Sequence, residues 1–253
     1  MENKEFLPVY PYSLKEARRL DELDQWRASR KENIACRNAI ELAIRRDFDG
    51  MHLKSDCAES VIAEYGHHRV AHVLAATLQD RDFDGRFSHA NKDWARGTFL
   101  PPDTDDRGIS LRIEYLVNSH PAVLDGFVNQ YRRSYQALGL FDRTHCEPDT
   151  AGQDFGGRVI VLRPDDLKES ALTPESQLWL CTDGFGSRAG ARGREVSAIC
   201  LADGEKAKLC REDFIGVIRE DCLPEWAAEK LTELREQRQS GAPAPNMGGM
   251  EMR

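Results

Sequence analysis

The chain has 253 residues, of which 40% are hydrophobic and 31% charged, with a formal net charge of −8 at pH 7. That length supports one large core or two small ones, and the lack of any run of about 18 apolar residues argues against a helix that crosses a membrane. Acidic and basic residues are interspersed along the chain, which disfavours both a mimic of the DNA backbone and a strongly basic nucleic-acid surface.

In chain order, Ser13 and Glu16 form a capping-box pair just after Pro11-Tyr12, so a helix is expected from about Leu14 to Leu23. A longer helix over 24–46 follows, with Trp26, Ile34, Ile40 and Ile44 at helical spacing and a basic polar face. A third is expected from Ser55 or Asp56 to Tyr65, with Asp56 and Glu59 as its box. Gly66 then punctuates, and a fourth helix carries Val70, Val73, Leu74 and Leu78. The string RDFDG occurs at 46–50 and again at 81–85. It reads as a reused tight turn, with the Phe tucked beneath. Residues 109–117 (ISLRIEYLV) alternate enough to suggest a short strand. A helix is expected from Pro121 to about Leu138, with Val123, Leu124, Phe127, Tyr131 and Tyr135 inward.

Beyond residue 157 the texture changes. Residues 158–162, 177–181 and 196–201 read as strands, and 206–210 as a fourth, joined to the third by an Asp203-Gly204 hairpin turn. A helix over 224–239 closes the chain, with Trp226, Leu231 and Leu234 inward. The expected fold is therefore α+β: a helical domain over 1–141, a linker over 142–157, a small domain over 158–239 with an antiparallel sheet and a C-terminal helix, and a disordered tail over 240–253.

Seven cysteines, at 36, 57, 146, 181, 200, 210 and 222, show no C-x-x-C spacing. With an opening segment, MENKEFLPVYPYS, that lacks the features of a secretory signal, they point to a cytoplasmic protein whose thiols are mostly small buried hydrophobes.

The run YPYSLKEARRLDELDQWRASRKENIACRNAIE, then FDGMHL, VLAATLQDRDFDGRFS and NKDWA, resembles a helical domain of unknown function carried by integrative conjugative elements and phages of gut Firmicutes. SHPAVLDGFVNQYRRSYQALGLF, QLWLCTDGFGSRAGARGREV, CLADGE and REDFIGVI extend the likeness over most of residues 8–235. The resemblance implies accessory cargo of a mobile element, in the company of anti-restriction and conjugation genes. It implies no catalytic residues.

Four clusters have the chemistry to bind something. His68 and His72, four apart on a helix, could face one zinc ion, with Glu64 next along the stripe. The alternative is a helix start with one histidine satisfied in the core. The acidic turns Asp47/Asp49 and Asp82/Asp84 fall short of the oxygen set a Ca²⁺ loop needs, and turn geometry accounts for them. The loop 183–194, DGFGSRAGARGR, offers Gly186 and Gly190 for close backbone approach and Arg188, Arg192 and Arg194 for a partner's phosphate or acidic surface; otherwise it is a flexible hairpin excursion. The basic face of 27–46 suits a solvated surface laced with ion pairs. No G-x-S-x-G elbow is present, and the adjacency of His145 and Cys146 is not evidence for a catalytic pair.

The expected function is a non-enzymatic, stoichiometric anti-defence inhibitor acting on a host nuclease complex of the CRISPR or restriction type. Its partner would be a host or defence-system protein or nucleoprotein, with no cofactor and no membrane. The alternatives are a metal-dependent hydrolase or nuclease using His68 and His72, with zinc as its metal, and a nucleic-acid-binding module.

Overall fold

The structure is a computed structural model describing residues 5–101, 103–105, 107–148 and 152–240, without the side chains of 237–240. The fold is α+β. The chain divides into two compact units: Met1–Gly139 with Lys168–Leu172, and Leu140–Leu167 with Thr173–Arg253. Beyond Ser240, the expected tail lies outside the described residues.

The first unit is built from α1 (Leu14–Arg19), α2 (Leu23–Asp47), α3 (Glu59–Asp80), α4 (His89–Gly97) and α5 (Pro121–Gln136). Ser13 caps α1 by accepting from Glu16 N at 3.2 Å, but the Glu16 carboxylate pairs with Arg19, so only half of the capping box forms. Cys36, Ile40 and Ile44 of α2, Val70, Val73, Leu74 and Leu78 of α3, and Leu124, Phe127 and Tyr131 of α5 share one core. The helical period of these apolar positions is what brings the three stripes together. Helix α4, for which the sequence gives no expectation, is capped by Ser88, whose Oγ accepts from Asn91 N.

Helix α3 is interrupted at Gly66, whose φ of 79° belongs to the left-handed region. A Cβ there would lie 2.5 Å from the carboxyl carbon of Glu169. Glycine thus both bends the helix and makes room for that carboxylate. Glu169 accepts from His67 N, from His68 N at 2.9 Å and from Tyr131's neighbour His67 through Nδ1 at 3.2 Å. It caps the helical stretch that restarts after the kink, from a segment about a hundred residues away in sequence.

The expected strand over 109–117 is instead a 3-10 helix at Leu111–Tyr115. Tyr115, Leu116 and Val117 are buried in succession while Ile113 is exposed, so the alternation a half-buried strand needs is absent. Leu111 N donates to Asp103 O and Arg112 to the Leu100 and Pro101 carbonyls, folding the segment back on its own preceding loop.

The second unit holds a five-stranded antiparallel sheet of order β4-β3-β2-β1-β5. Its strands are β1 (Val159–Leu162), β2 (Leu178–Asp183), β3 (Glu195–Cys200), β4 (Lys206–Cys210) and β5 (Phe214–Val217), and α6 (Glu225–Ser240) follows. Val159 and Val161 of β1 lie opposite Leu180 and Leu178 of β2, and this face packs with Ala227 and Leu231 of α6. Trp226 and Leu234 lean on the same cluster. Gln177 is fully buried and satisfied: its amide donates to the Phe141 and Leu162 carbonyls, and its oxygen accepts from Phe141 N.

Residues 142–157, expected as a linker, belong to this unit. Cys146 pairs with Ile218, Glu147 N donates to Val217 O at 2.8 Å, and Phe155 is buried. The outer edge of β5, a strand not anticipated from the sequence, needs backbone partners, and this polar segment supplies some of them.

Candidate functional site

The loop between β2 and β3 leaves and returns in close apposition because two of its positions have no side chain. A Cβ at Gly184 would sit 2.5 Å from Glu195 O, and one at Gly186 the same distance from Arg194 O. Gly186 is therefore a packing position, while Gly190, with φ 71°, lies in open space further out. Phe185–Ser187 makes a 3-10 turn around Gly186, closed by Ser187 Oγ donating to Gly184 O at 2.7 Å.

Arg211 anchors this loop. It follows β4 in the turn Arg211–Asp213, and its backbone N donates to Arg194 O at 3.0 Å. Its side chain is buried, with the guanidinium carbon 3.8 Å from the centroid of the Phe155 ring. Nη1 donates to Gly186 O at 2.6 Å and Arg188 O at 3.2 Å, and Nη2 to Gln153 O. This buried cation is held by three carbonyl dipoles and an aromatic face.

Fixed in this way, the loop directs its own arginines outward. Arg188 stacks over Phe185 at 5.4 Å, and that phenylalanine is 74% exposed. Arg192 and Arg194 are exposed and, among the described residues, their guanidinium groups have no hydrogen bond or ion pair. The arginines of α2 differ: Arg27 pairs with Asp24, Arg37 and Arg45 with Glu41, and Arg46 with Asp47. Arg192 also lines a cavity of about 140 Å³ together with Arg143, Arg211, Glu212 and Phe214. Glu212 is engaged locally, accepting from the Cys210 thiol at 2.9 Å and from Gly193 N at 2.6 Å. Those two bonds hold its carboxyl below the usual range. Of the arginines singled out from sequence, one enters the cavity and two do not. Arg143 and Arg211 were invisible, because nothing in their spacing marks them.

His68 and His72 have different surroundings. His68 Nδ1 is 3.3 Å from Glu169 Oε2, at the restarted helix end. His72 is buried against the Tyr115 ring at 5.6 Å. Burial, with Arg69 and Arg112 adding to it, pushes its pKa down to about 3, so the imidazole is neutral. Among the described residues no group of three His, Cys, Asp or Glu side chains is placed to hold a metal ion.

The acidic turns are closed by their own neighbours. Asp49 accepts from Met51 N and His52 N; Asp84 accepts from Arg86 N and the Arg86 guanidinium, which holds its pKa at about 2. Asp47 pairs with Arg46 and Asp82 with Arg96. Phe48 is half-buried in the first turn, whereas Phe83 in the second is 87% exposed and is not tucked under it.

A small polar niche in the first unit is lined by Tyr10, Tyr12, Trp26, Arg30, His72 and Asp103. Asp103 pairs with Arg30 through Oδ2 at 3.3 Å, and its Oδ1 is buried near the Trp26 and Tyr115 side chains. Burial raises its pKa against the pull of Arg30 and Arg112.

Among the described residues no helix is long and apolar enough to cross a membrane. No curated protein matches the chain, and no solved structure does. A family described as "Protein of unknown function (DUF3849)" matches residues 9–136, the span that holds α1 to α5. The chain belongs to the DUF3849 family.

Proposed function

We propose that the chain is a non-enzymatic binding protein that docks stoichiometrically on a protein partner through the loop 184–194. The supporting observation is the exposed set Phe185, Arg188, Arg192 and Arg194 on a loop anchored by buried Arg211. Aromatic and arginine side chains dominate the energetic centres of protein interfaces. A loop pre-organised in this way gives up less conformational freedom on binding. Arginines without internal acid partners also leave their charge available to an acidic or phosphorylated surface.

The class of partner comes from the mobile-element resemblance: a host defence protein, such as a nuclease complex of the CRISPR or restriction type, met in the cytoplasm. Affinity capture with the tagged chain, with and without nuclease treatment and read by mass spectrometry, tests the proposal. One protein recovered at near-equal stoichiometry in both arms supports docking. Recovery that disappears on nuclease treatment favours nucleic acid as the ligand, for which the free arginines also have the right charge. Recovery of no partner in either arm contradicts the proposal.

A further inference from the structure

We infer that the cavity walled by Arg143, Arg192 and Arg211 receives a phosphomonoester, a phosphorylated serine or threonine side chain on the docked partner. The inference rests on the reading of the 184–194 loop as the docking element.

Charge is the first ground. Among the described residues, the guanidinium groups of Arg143, Arg192 and Arg211 and one carboxylate, Glu212, line the cavity, and of the three cations Arg192 and Arg211 carry the argument. The carboxylate already accepts from Gly193 N and the Cys210 thiol, so it is turned to local bonds. Like charges gathered in a concave space repel, and a dianion relieves that repulsion more than a monoanion does.

Donor capacity is the second. A guanidinium has five N–H groups. Arg211 places three on the Gly186, Arg188 and Gln153 carbonyls, which leaves two. Arg192 has all five unassigned among the described residues. Arg143 donates to Ile215 O, which fixes its guanidinium beside β5. Gly216 spares that position: a Cβ there would come within 3.4 Å of Arg143 Nη1. Arginine forks match the oxygens of a phosphate group.

Shape is the third. The cavity, about 140 Å³, is well above the about 10–15 Å³ that a single water needs. Its size admits a terminal phosphate group. Its aromatic residues are committed: Phe155 lies beneath Arg211 and Phe214 is buried. Neither offers a free face on which a base would stack. A phosphate carried by a side chain fits these walls better than one carried by a nucleotide.

The test titrates the full chain with the capped tripeptide acetyl-Gly-phosphoserine-Gly-amide, its unphosphorylated counterpart, inorganic phosphate and a short 5′-phosphorylated oligonucleotide, by calorimetry at low salt. The phosphopeptide and inorganic phosphate should bind, and the unphosphorylated peptide should not. Arg143→Ala and Arg192→Ala should each weaken phosphopeptide binding by about tenfold or more, with Arg192→Lys between them and the parent. Thermal unfolding of Arg192→Ala should match the parent, since that exposed side chain makes no hydrogen bond or ion pair among the described residues. Absence of phosphopeptide binding overturns the inference, as do affinities indifferent to both alanine variants, or an oligonucleotide that binds more tightly than the peptide. A captured partner that stays bound after phosphatase treatment, yet is lost in Phe185→Asp, overturns the phosphate inference while leaving the docking proposal standing.

Discussion

Arg211 lies over the ring of Phe155 at 3.8 Å and reaches from there to the carbonyls of Gly186, Arg188 and Gln153. One side chain thereby ties the β2–β3 loop to the segment that covers β5. Arg211→Ala leaves three carbonyls without their donor and removes the stacked cation. A loss of about 2–4 kcal/mol is expected, read as a lower urea midpoint. Limited trypsin digestion should cut first at Arg188, Arg192 or Arg194. Arg211→Lys should recover only part of the stability, because an ammonium cannot serve all three carbonyls and stack flat. A midpoint unchanged in the alanine variant would show that the loop is held by other means.

Glu169 caps the restarted half of α3 through His67 N and His68 N. Burial works to raise its pKa, but the bonds from His67 and His68 more than offset this, and the carboxyl ends below its ordinary 4.5. A depressed acid contributes stability above its unfolded value and loses it as pH falls through the folded one. The Glu169 contribution should be full above about pH 4.5 and fade below it. Glu169→Ala should cost about 1–2 kcal/mol at neutral pH, and Glu169→Gln should flatten the acid limb in denaturation curves between pH 5 and 3. An acid limb of parental steepness in Glu169→Gln would assign that limb to other groups.

His72 titrates in a separate window. Its folded pKa of about 3 lies far below the ordinary 6.5. The fold thus retains this contribution above pH 6.5 and loses it as the unfolded chain gains the proton at lower pH. Between pH 6 and 4.5, above the range of Glu169, the loss approaches about 1.4 kcal/mol per pH unit. His72→Leu should remove that slope. Urea midpoints at pH 7, 6, 5 and 4.5 for the two proteins check it, and parallel curves would contradict the neutral, buried imidazole.

Thiol reactivity should sort by burial. Desolvation pushes the Cys36 and Cys57 thiols up to about 12 and Cys146 up to about 11. Cys210 and Cys222 are partly exposed, and the other five cysteines are buried. Iodoacetamide at pH 8, followed by peptide mapping, should label these two in the native protein and the other five only after denaturant. Early labelling of Cys36 would place it outside the core.

The sequence was most legible where one local rule governed. Helical spacing locates α2 and α5, and runs of β-prone residues with a hairpin turn locate four strands, β4 residue for residue. Gly66 was read as punctuation, which its positive φ bears out. Legibility ended where long-range partners decided. The segment 109–117 has strand composition, but among the described residues its ladder contact is a single bridge, Ser110 to Thr104, and it coils against its own preceding loop. Strand β5, FIGV, has a glycine inside its run, which weakens the strand signal until its pairing with β1 is known. Two copies of RDFDG place their phenylalanines differently, because burial belongs to the surroundings and not to the pentapeptide. Arg192 was picked out by its loop, but Arg143 and Arg211 reach the same cavity from elements about fifty residues before and some twenty after it.

The most direct measurement of the docking proposal is quantitative affinity capture with three forms of the full chain: the parent, Phe185→Asp, and the triple replacement of Arg188, Arg192 and Arg194 by alanine. These side chains lie outside the cores of the second unit, so all three forms should unfold at similar temperatures. A partner should be recovered near one to one by the parent and lost, by about tenfold or more, in both variants. Equal recovery of that partner by all three forms would contradict it and place the binding surface elsewhere on the molecule.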